Sequence, residues 1–141
     1  MKPPIILVAE YDADDRYLLQ TAFEESGFTE KLHFVENGME LFTYLNSNTA
    51  LPSGKQLPHI ILPDLNMPKK DGREVLKELK QHPLYKKIPI VIFTTTHNEN
   101  EIKRCYELGA NTYIVKPVSF DRLLDTIQSI RNYWMKTAAV L

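Results

Sequence analysis

The chain has 141 residues, is 43% hydrophobic and 25% charged, and carries a formal net charge of −1; these values predict one compact domain, residues 1–141, with its own core. Charges of both signs are scattered, which argues against a nucleic-acid footprint or a basic membrane-binding face. No apolar run approaches the roughly 20 residues that span a bilayer, and the Met-Lys-Pro-Pro start leads straight into a strand-like run, so a cytoplasmic protein without a signal peptide is expected.

The first predicted strand is IILVA at 5–9, closed by Glu10, Tyr11 and Asp12. Leu18, Leu19, Ala22 and Phe23 then recur at helical spacing, and Gly27 stands where that helix should stop. LHFV (32–35) predicts a second strand, and Leu41, Phe42 and Leu45 a second helix. The stretch 46–58, rich in polar residues with Gly and Pro, reads as an enlarged loop. A third strand, HIIL (59–62), runs into Pro63 and Asp64, and Val75, Leu76 and Leu79 mark the helix beyond. IPIVIF (88–93) is the fourth strand, followed by Thr94 and Thr95 and a helix carrying Ile102, Cys105 and Tyr106 that should end at Gly109. TYIV (112–115) is the fifth; Lys116-Pro117 follows, then a last helix with Phe120, Leu123, Leu124, Ile127, Ile130 and Trp134. Residues 133–141 are more apolar than a solvated end, which predicts an extension of that helix over the core or a homodimer contact.

Strict alternation of apolar strands with helices implies a parallel sheet buried on both faces, joined by right-handed crossovers. Ligands of such sheets bind beyond the carboxyl ends of the strands. The residues that collect there are Glu10, Tyr11 and Asp12, then Asp64, then Thr94 and Thr95, then Lys116. A carboxylate attacks phosphorus when an oxygen-seeking cation such as Mg²⁺ bridges it to the phosphoryl oxygens while an ammonium and a hydroxyl take up developing charge. In that scheme Asp64 attacks, Glu10, Asp64 and the Asn66 carbonyl hold Mg²⁺, Lys116 neutralises phosphoryl charge and Thr94 donates a hydrogen bond. The X-Pro step at Lys116-Pro117 disfavours α geometry at Lys116 and aims the lysine back across the rim, with a cis bond as one route.

Taken singly, each of these residues has a plainer reading: Asp64 as a turn residue, Lys116-Pro117 as a loop, and Thr-Thr-Thr before Asn98 as a helix start with its caps. Four complementary types at successive strand ends of one small chain favour the joint reading. Cys105 stands alone and offers neither a disulfide nor a thiolate cluster. His33, His59, His82 and His97 show no metal-ligand spacing.

ILVAEYDADDR (6–16), ILPDLNMPKKDG (61–72), IPIVIFTTT (88–96) and ELGANTYIVKPV (107–118) together resemble the receiver domain of two-component response regulators, and the resemblance covers essentially the whole chain. It implies a flavodoxin-like, five-stranded α/β fold of strand order 2-1-3-4-5 with five helices. It also implies an aspartyl-phosphate at Asp64, formed with Mg²⁺ from a sensor histidine kinase or phosphotransfer protein. Thr94 and Tyr113 would form a switch pair: on phosphorylation Thr94 moves toward the phosphoryl group and Tyr113 turns inward, altering a face that a downstream protein target reads. A phosphoacceptor signalling protein, not an enzyme, is the expectation; the enlarged loop 46–58 and the absence of an output domain look similar to standalone receivers that serve phytochrome-type kinases.

Two residues depart from that pattern. Tyr11 replaces the second of two adjacent acids after the first strand, so metal affinity should fall; Asp12 follows directly and offers partial compensation, against which adjacent residues of extended backbone point in opposite directions. Pro63, just before Asp64, deletes a ladder donor, so the third strand should lose a bond or bulge there, unless it ends at Leu62. Both motivate an alternative: a degenerate pseudo-receiver that acts by phosphorylation-independent protein binding. A third reading, a haloacid-dehalogenase-type phosphatase using Asp12-Ala13-Asp14, leaves the Asp64 constellation without a role.

Overall fold

The apolar runs become strands, and the amphipathic segments between them become helices, in the predicted order. The computed structural model describes residues 4–28, 30–50 and 56–138. In chain order the elements are β1 (Ile5–Ala9), α1 (Ala13–Glu25), β2 (Lys31–Val35), α2 (Gly38–Ala50), β3 (Ile60–Pro63), α3 (Gly72–Gln81), β4 (Val91–Thr94), α4 (Glu99–Glu107), β5 (Thr112–Val115) and α5 (Phe120–Arg131). A 3₁₀ turn at Tyr85–Lys87 precedes β4, and a π-helical turn at Asn132–Thr137 prolongs α5. Gly27 and Gly109 have φ of 72° and 109°, the left-handed values expected just past α1 and α4.

All strand pairs are parallel. β1 lies between β2 and β3, with Leu7 opposite both His33 and Ile61, and β4 pairs with β5, Ile92 opposite Tyr113. A single bridge joins the two ladders, Ile61 to Ile90, where the Ile61 N–H donates to the Pro89 carbonyl at 3.0 Å. The two ladders, 2-1-3 and 4-5, meet at that bridge just before β4, which is consistent with the order 2-1-3-4-5 and leaves a seam between β3 and β4.

Pro63 accounts for the seam. Successive backbone groups of a strand point to alternate sides. The Asp64 N–H reaches the Ala9 carbonyl of β1 at 3.0 Å, while Ile61 faces β4. Two residues beyond Ile61, the position facing β4 is proline and has no proton to donate. The expected lost bond is thus on the β4 side, without a bulge toward β1: β3 includes Pro63, which stays in register with Ala9.

Two apolar layers cover the sheet. On one face Leu7, Ile61 and Ile92 pack with Leu41 and Leu45 of α2, Val75, Leu76 and Leu79 of α3, and Cys105 of α4. On the other, Ile6, Val8, Ile60, Leu62 and Phe93 pack with Leu19, Ala22 and Phe23 of α1 and Leu123, Ile127 and Ile130 of α5. Burial on both faces holds for β1, β3 and β4. It does not hold for the edge strands, where β2 and β5 are half-exposed because each has a neighbour on one side alone.

Three further expectations change. α2 runs through Ala50, into the stretch read as loop, because Asn-Ser-Asn-Thr-Ala contains no glycine or proline to stop a helix; Asn46 is fixed there by accepting the Tyr85 hydroxyl at 2.7 Å. The remainder of that predicted loop includes residues 51–55, outside the described residues. The Lys116–Pro117 bond is trans. Beyond α5 the chain continues as the π-helical turn, with Trp134 half-buried against the α1/α5 layer; residues 139–141 of the predicted apolar end lie outside the described residues.

The edge of the sheet opposite the strand C-termini carries a buried ion pair. Arg131 Nε and Nη2 donate to the two Glu30 oxygens at 2.8 and 3.1 Å, and Nη1 donates to the Ser26 carbonyl at 2.8 Å. This fork ties the end of α5 to the connection between α1 and β2.

Candidate functional site

Four strands deliver residues at or just past their ends to one small, buried cluster. Asp64 follows β3 directly, Thr94 ends β4, Lys116 follows β5 and Glu10 follows β1. The Thr94 hydroxyl donates to Asp64 Oδ1 at 2.7 Å, and the Asn66 N–H donates to the same oxygen at 3.0 Å. Lys116 Nζ donates to Asp64 Oδ2 at 2.6 Å, to Asp15 Oδ2 at 3.0 Å and, in a very short contact, to Glu10 Oε1. The second Glu10 oxygen accepts the Asp12 N–H at 3.0 Å. Glu10, Asp64, Thr94 and Lys116 therefore form one hydrogen-bonded unit, as the strand-end reading expected.

Local sequence explains how the loops hold this arrangement. Asp71 caps α3 by accepting the Arg73 and Glu74 N–H groups, and Gly72 brings the chain back against the acceptor loop. A Cβ on Gly72 would lie 2.4 Å from the Asp64 carbonyl oxygen, so no larger residue fits without moving the loop. Asn98 caps α4 through the Asn100 and Glu101 N–H groups, which leaves Thr94 free of capping duty. Arg16 Nη1 donates to the Glu10 and Tyr11 carbonyls at 2.9 and 2.8 Å and pins the turn after β1.

Electrostatics follow from two buried carboxylates sharing one ammonium. Burial, reinforced by the neighbouring Asp64 carboxyl, pushes Glu10 up to about 7. Burial opposes ionisation of Asp64 as well, but hydrogen bonds with Glu10, the Asn66 amide, Lys116 and Thr94 outweigh it and hold Asp64 below the usual carboxylate range. For Lys116 burial favours the neutral amine, and the bonds to Asp64 and Glu10 reverse that, raising its affinity for the proton.

The predicted metal set fits a hard divalent cation by donor type: two carboxylates, Glu10 and Asp64, and the Asn66 carbonyl are all oxygen donors. Among the described residues no three His, Cys, Asp or Glu side chains are arranged to hold a metal by themselves, so a backbone carbonyl would have to complete the set. Tyr11, where the family pattern has a second acid, is 57% exposed. Asp12 is engaged at the start of α1. Its carboxylate caps α1, accepting the Asp14 and Asp15 N–H groups at 2.8 and 3.1 Å.

Asp15 is the residue that strand-end reasoning missed. It stands three positions after the Asp12 cap, in the first turn of α1, and helical side chains lean toward the N-terminus of their helix. That lean carries an acid at this position back toward the rim, a signal available in the sequence. Tyr113 lies beside the cluster, its hydroxyl donating to the Thr96 carbonyl at 2.6 Å, and burial lifts its phenol to about 12. Asn66 Nδ2 donates to the Thr96 hydroxyl at 3.3 Å, so Thr96 links the acceptor loop and Tyr113. Of the histidines, His33 stacks on Tyr44 and His82 on Tyr85, while His97 follows Thr96 on the exposed loop beyond β4.

Comparison with known proteins places this geometry. Residues 6–128 match the family model of the response regulator receiver domain. The chain is 36% identical over 138 residues to response regulator Rcp1 of Synechocystis sp., covering 98% of this chain and 93% of Rcp1. The crystal structure of the phosphorylated cyanobacterial phytochrome response regulator RcpA superposes with a TM-score of 0.87 at 36% identity, over 98% of each chain. The Mn²⁺-bound form of Rcp1 superposes with a TM-score of 0.86 at 36% identity, over 99% of each chain. With its parallel sheet, its five helices and an acidic cluster at the strand ends, the chain belongs to the response regulator receiver domain family.

Proposed function

We propose that Asp64 accepts a phosphoryl group from a sensor histidine kinase or phosphotransfer protein and that the modified domain signals to a downstream protein. The observation that carries this reading is the setting of the Asp64 carboxylate, with Thr94 and Asn66 on one oxygen and Lys116 on the other. Attack by a carboxylate on phosphorus depends on positioning and charge neutralisation, and those three donors supply both. Glu10, Asp64 and the Asn66 carbonyl would hold Mg²⁺, which neutralises phosphoryl oxygens when bound. Tyr11 contributes no charge, so that affinity is lower than with an acid at this position.

Thr94 and Tyr113 are the proposed switch. Thr94 contacts Asp64 directly, and Tyr113 is bonded two residues further along the same loop, at Thr96. A phosphoryl group that draws on the Thr94 hydroxyl would be felt at Tyr113 and at the surface of α4 and β5. Treatment with acetyl phosphate and Mg²⁺ should add the mass of one phosphate to the wild type and none to Asp64→Asn. No addition to the wild type at generous Mg²⁺ would reject the reading.

The exposed Tyr11 favours a second reading, a pseudo-receiver that binds its partner unmodified. Tyr11→Asp separates the two. A large gain in Mg²⁺ affinity and phosphorylation supports degeneration, and little change argues against it.

A further inference from the structure

Both oxygens of Asp64 accept hydrogen bonds, and a bond to an ammonium draws electron density from the oxygen that is to attack phosphorus. Oδ1 is held by the Thr94 hydroxyl and the Asn66 amide, and Oδ2 by the Lys116 ammonium at 2.6 Å. Oδ2 keeps a lone pair for the attack, but it is a better nucleophile, with more room for phosphorus, once Lys116 shifts off it. A largely buried ammonium withdraws toward another acceptor, because solvent is too distant to stabilise it alone.

Two acceptors are in reach. Glu10 is buried, its second oxygen is committed to the Asp12 N–H, and it belongs to the set proposed for Mg²⁺. Asp15 belongs neither to that set nor to the phosphoacceptor. Its carboxylate stands 3.0 Å from the same Nζ and is 39% exposed, so it meets the lysine from the solvent side. α1 fixes it there: the Asp15 N–H is bonded to the Asp12 cap at 3.1 Å.

We infer that Asp15 is a positioning residue for Lys116: it holds the ammonium as Lys116 leaves Asp64 Oδ2, and so sets how readily Asp64 reacts and how readily Glu10 and Asp64 turn to a cation. The inference rests on the phosphoacceptor reading for its first consequence and not for its second. In the transfer itself an Asp64 Oδ2 electron pair forms the new O–P bond. The bridging P–O bond of the acyl phosphate breaks, and acetate departs with its electron pair; no proton moves. Asp15 touches none of these atoms.

The test measures Mg²⁺ binding by calorimetry in the absence of any phosphodonor, and in parallel the rate of phosphate uptake from acetyl phosphate by intact mass. Asp15→Asn should weaken Mg²⁺ binding by about threefold, the scale of a partly exposed ion pair, and slow uptake by a similar factor. Asp15→Glu should restore both. In a Lys116→Gln background, with no ammonium to hold, Asp15→Asn should leave Mg²⁺ binding nearly unchanged. An equal loss in that background would show that Asp15 acts on the cation directly and would overturn the inference, as would wild-type binding and uptake by Asp15→Asn. A wild type that binds Mg²⁺ with the expected coupling but takes up no phosphate would reject the phosphoacceptor reading and leave the positioning role standing.

Discussion

Glu10 holds its proton to a higher pH than an ordinary carboxyl because it is buried beside Asp64 with Lys116 as their shared cation. Its folded value, about 7, lies above the 4.5 of an unperturbed glutamate. The folded state thus binds this proton more tightly than the unfolded chain, and the associated stability is complete below 4.5 and lost as pH rises through 7. Asp64 is shifted the other way, so its contribution is lost only in acid, below that window. His33, lowered by burial and by Lys31, opposes Glu10 near neutrality, which is why the comparison must be between two proteins. In EDTA, thermal melts should show wild type losing stability relative to Glu10→Gln between pH 5 and 7; parallel curves would contradict the assignment. Asp64, Thr94, Lys116 and Glu10 were legible in the sequence because each directly follows or ends an apolar strand. Asp15 was less so, since its place depends on the pitch of α1 and on the reach of a lysine from β5, more than a hundred residues away in the chain.

Between elements, the weak join is the seam of the sheet. β3 and β4 share one bridge, and the proline beside the acceptor lacks the donor that would extend it. In Pro63→Ala the restored N–H points toward β4, and hydrogen exchange should find one new slowly exchanging amide at that position. A fast amide there would mean that the strands diverge for another reason. Global stability should hardly move: the new bond contributes about 1 kcal/mol, and losing a proline from the unfolded chain costs about 0.4–1 kcal/mol. The proline's effect on the ladder was visible in the sequence, but the side it would affect was not, because that depends on which neighbour Ile61 faces. Helix boundaries were the poorest guide: the polar composition of 46–50 suggested loop, while the backbone continues as α2 through Ala50.

Across the molecule, chemistry and anchoring occupy opposite edges of the sheet. The acidic cluster sits beyond the strand C-termini, whereas Arg131 and Glu30 lock α5 to the start of β2. Neither partner of that lock was singled out in the sequence; an arginine at a helix end reads as solvated until packing buries it. Arg131→Met should cost about 3–5 kcal/mol in urea unfolding, the usual penalty for breaking a buried pair, while the phosphate uptake rate of the folded protein stays as in wild type. A large loss of uptake without loss of stability would show that the two edges are coupled. The account as a whole turns on the reactivity of one carboxylate at the end of β3. Borohydride reduces an acyl phosphate to an alcohol, so a phosphorylated aspartate is converted to homoserine, and peptide mass spectrometry after acetyl phosphate, Mg²⁺ and borohydride reads the modified position directly. Homoserine at residue 64 is the predicted result; an unchanged Asp64, or homoserine at Asp12, Asp14 or Asp15 instead, would contradict it.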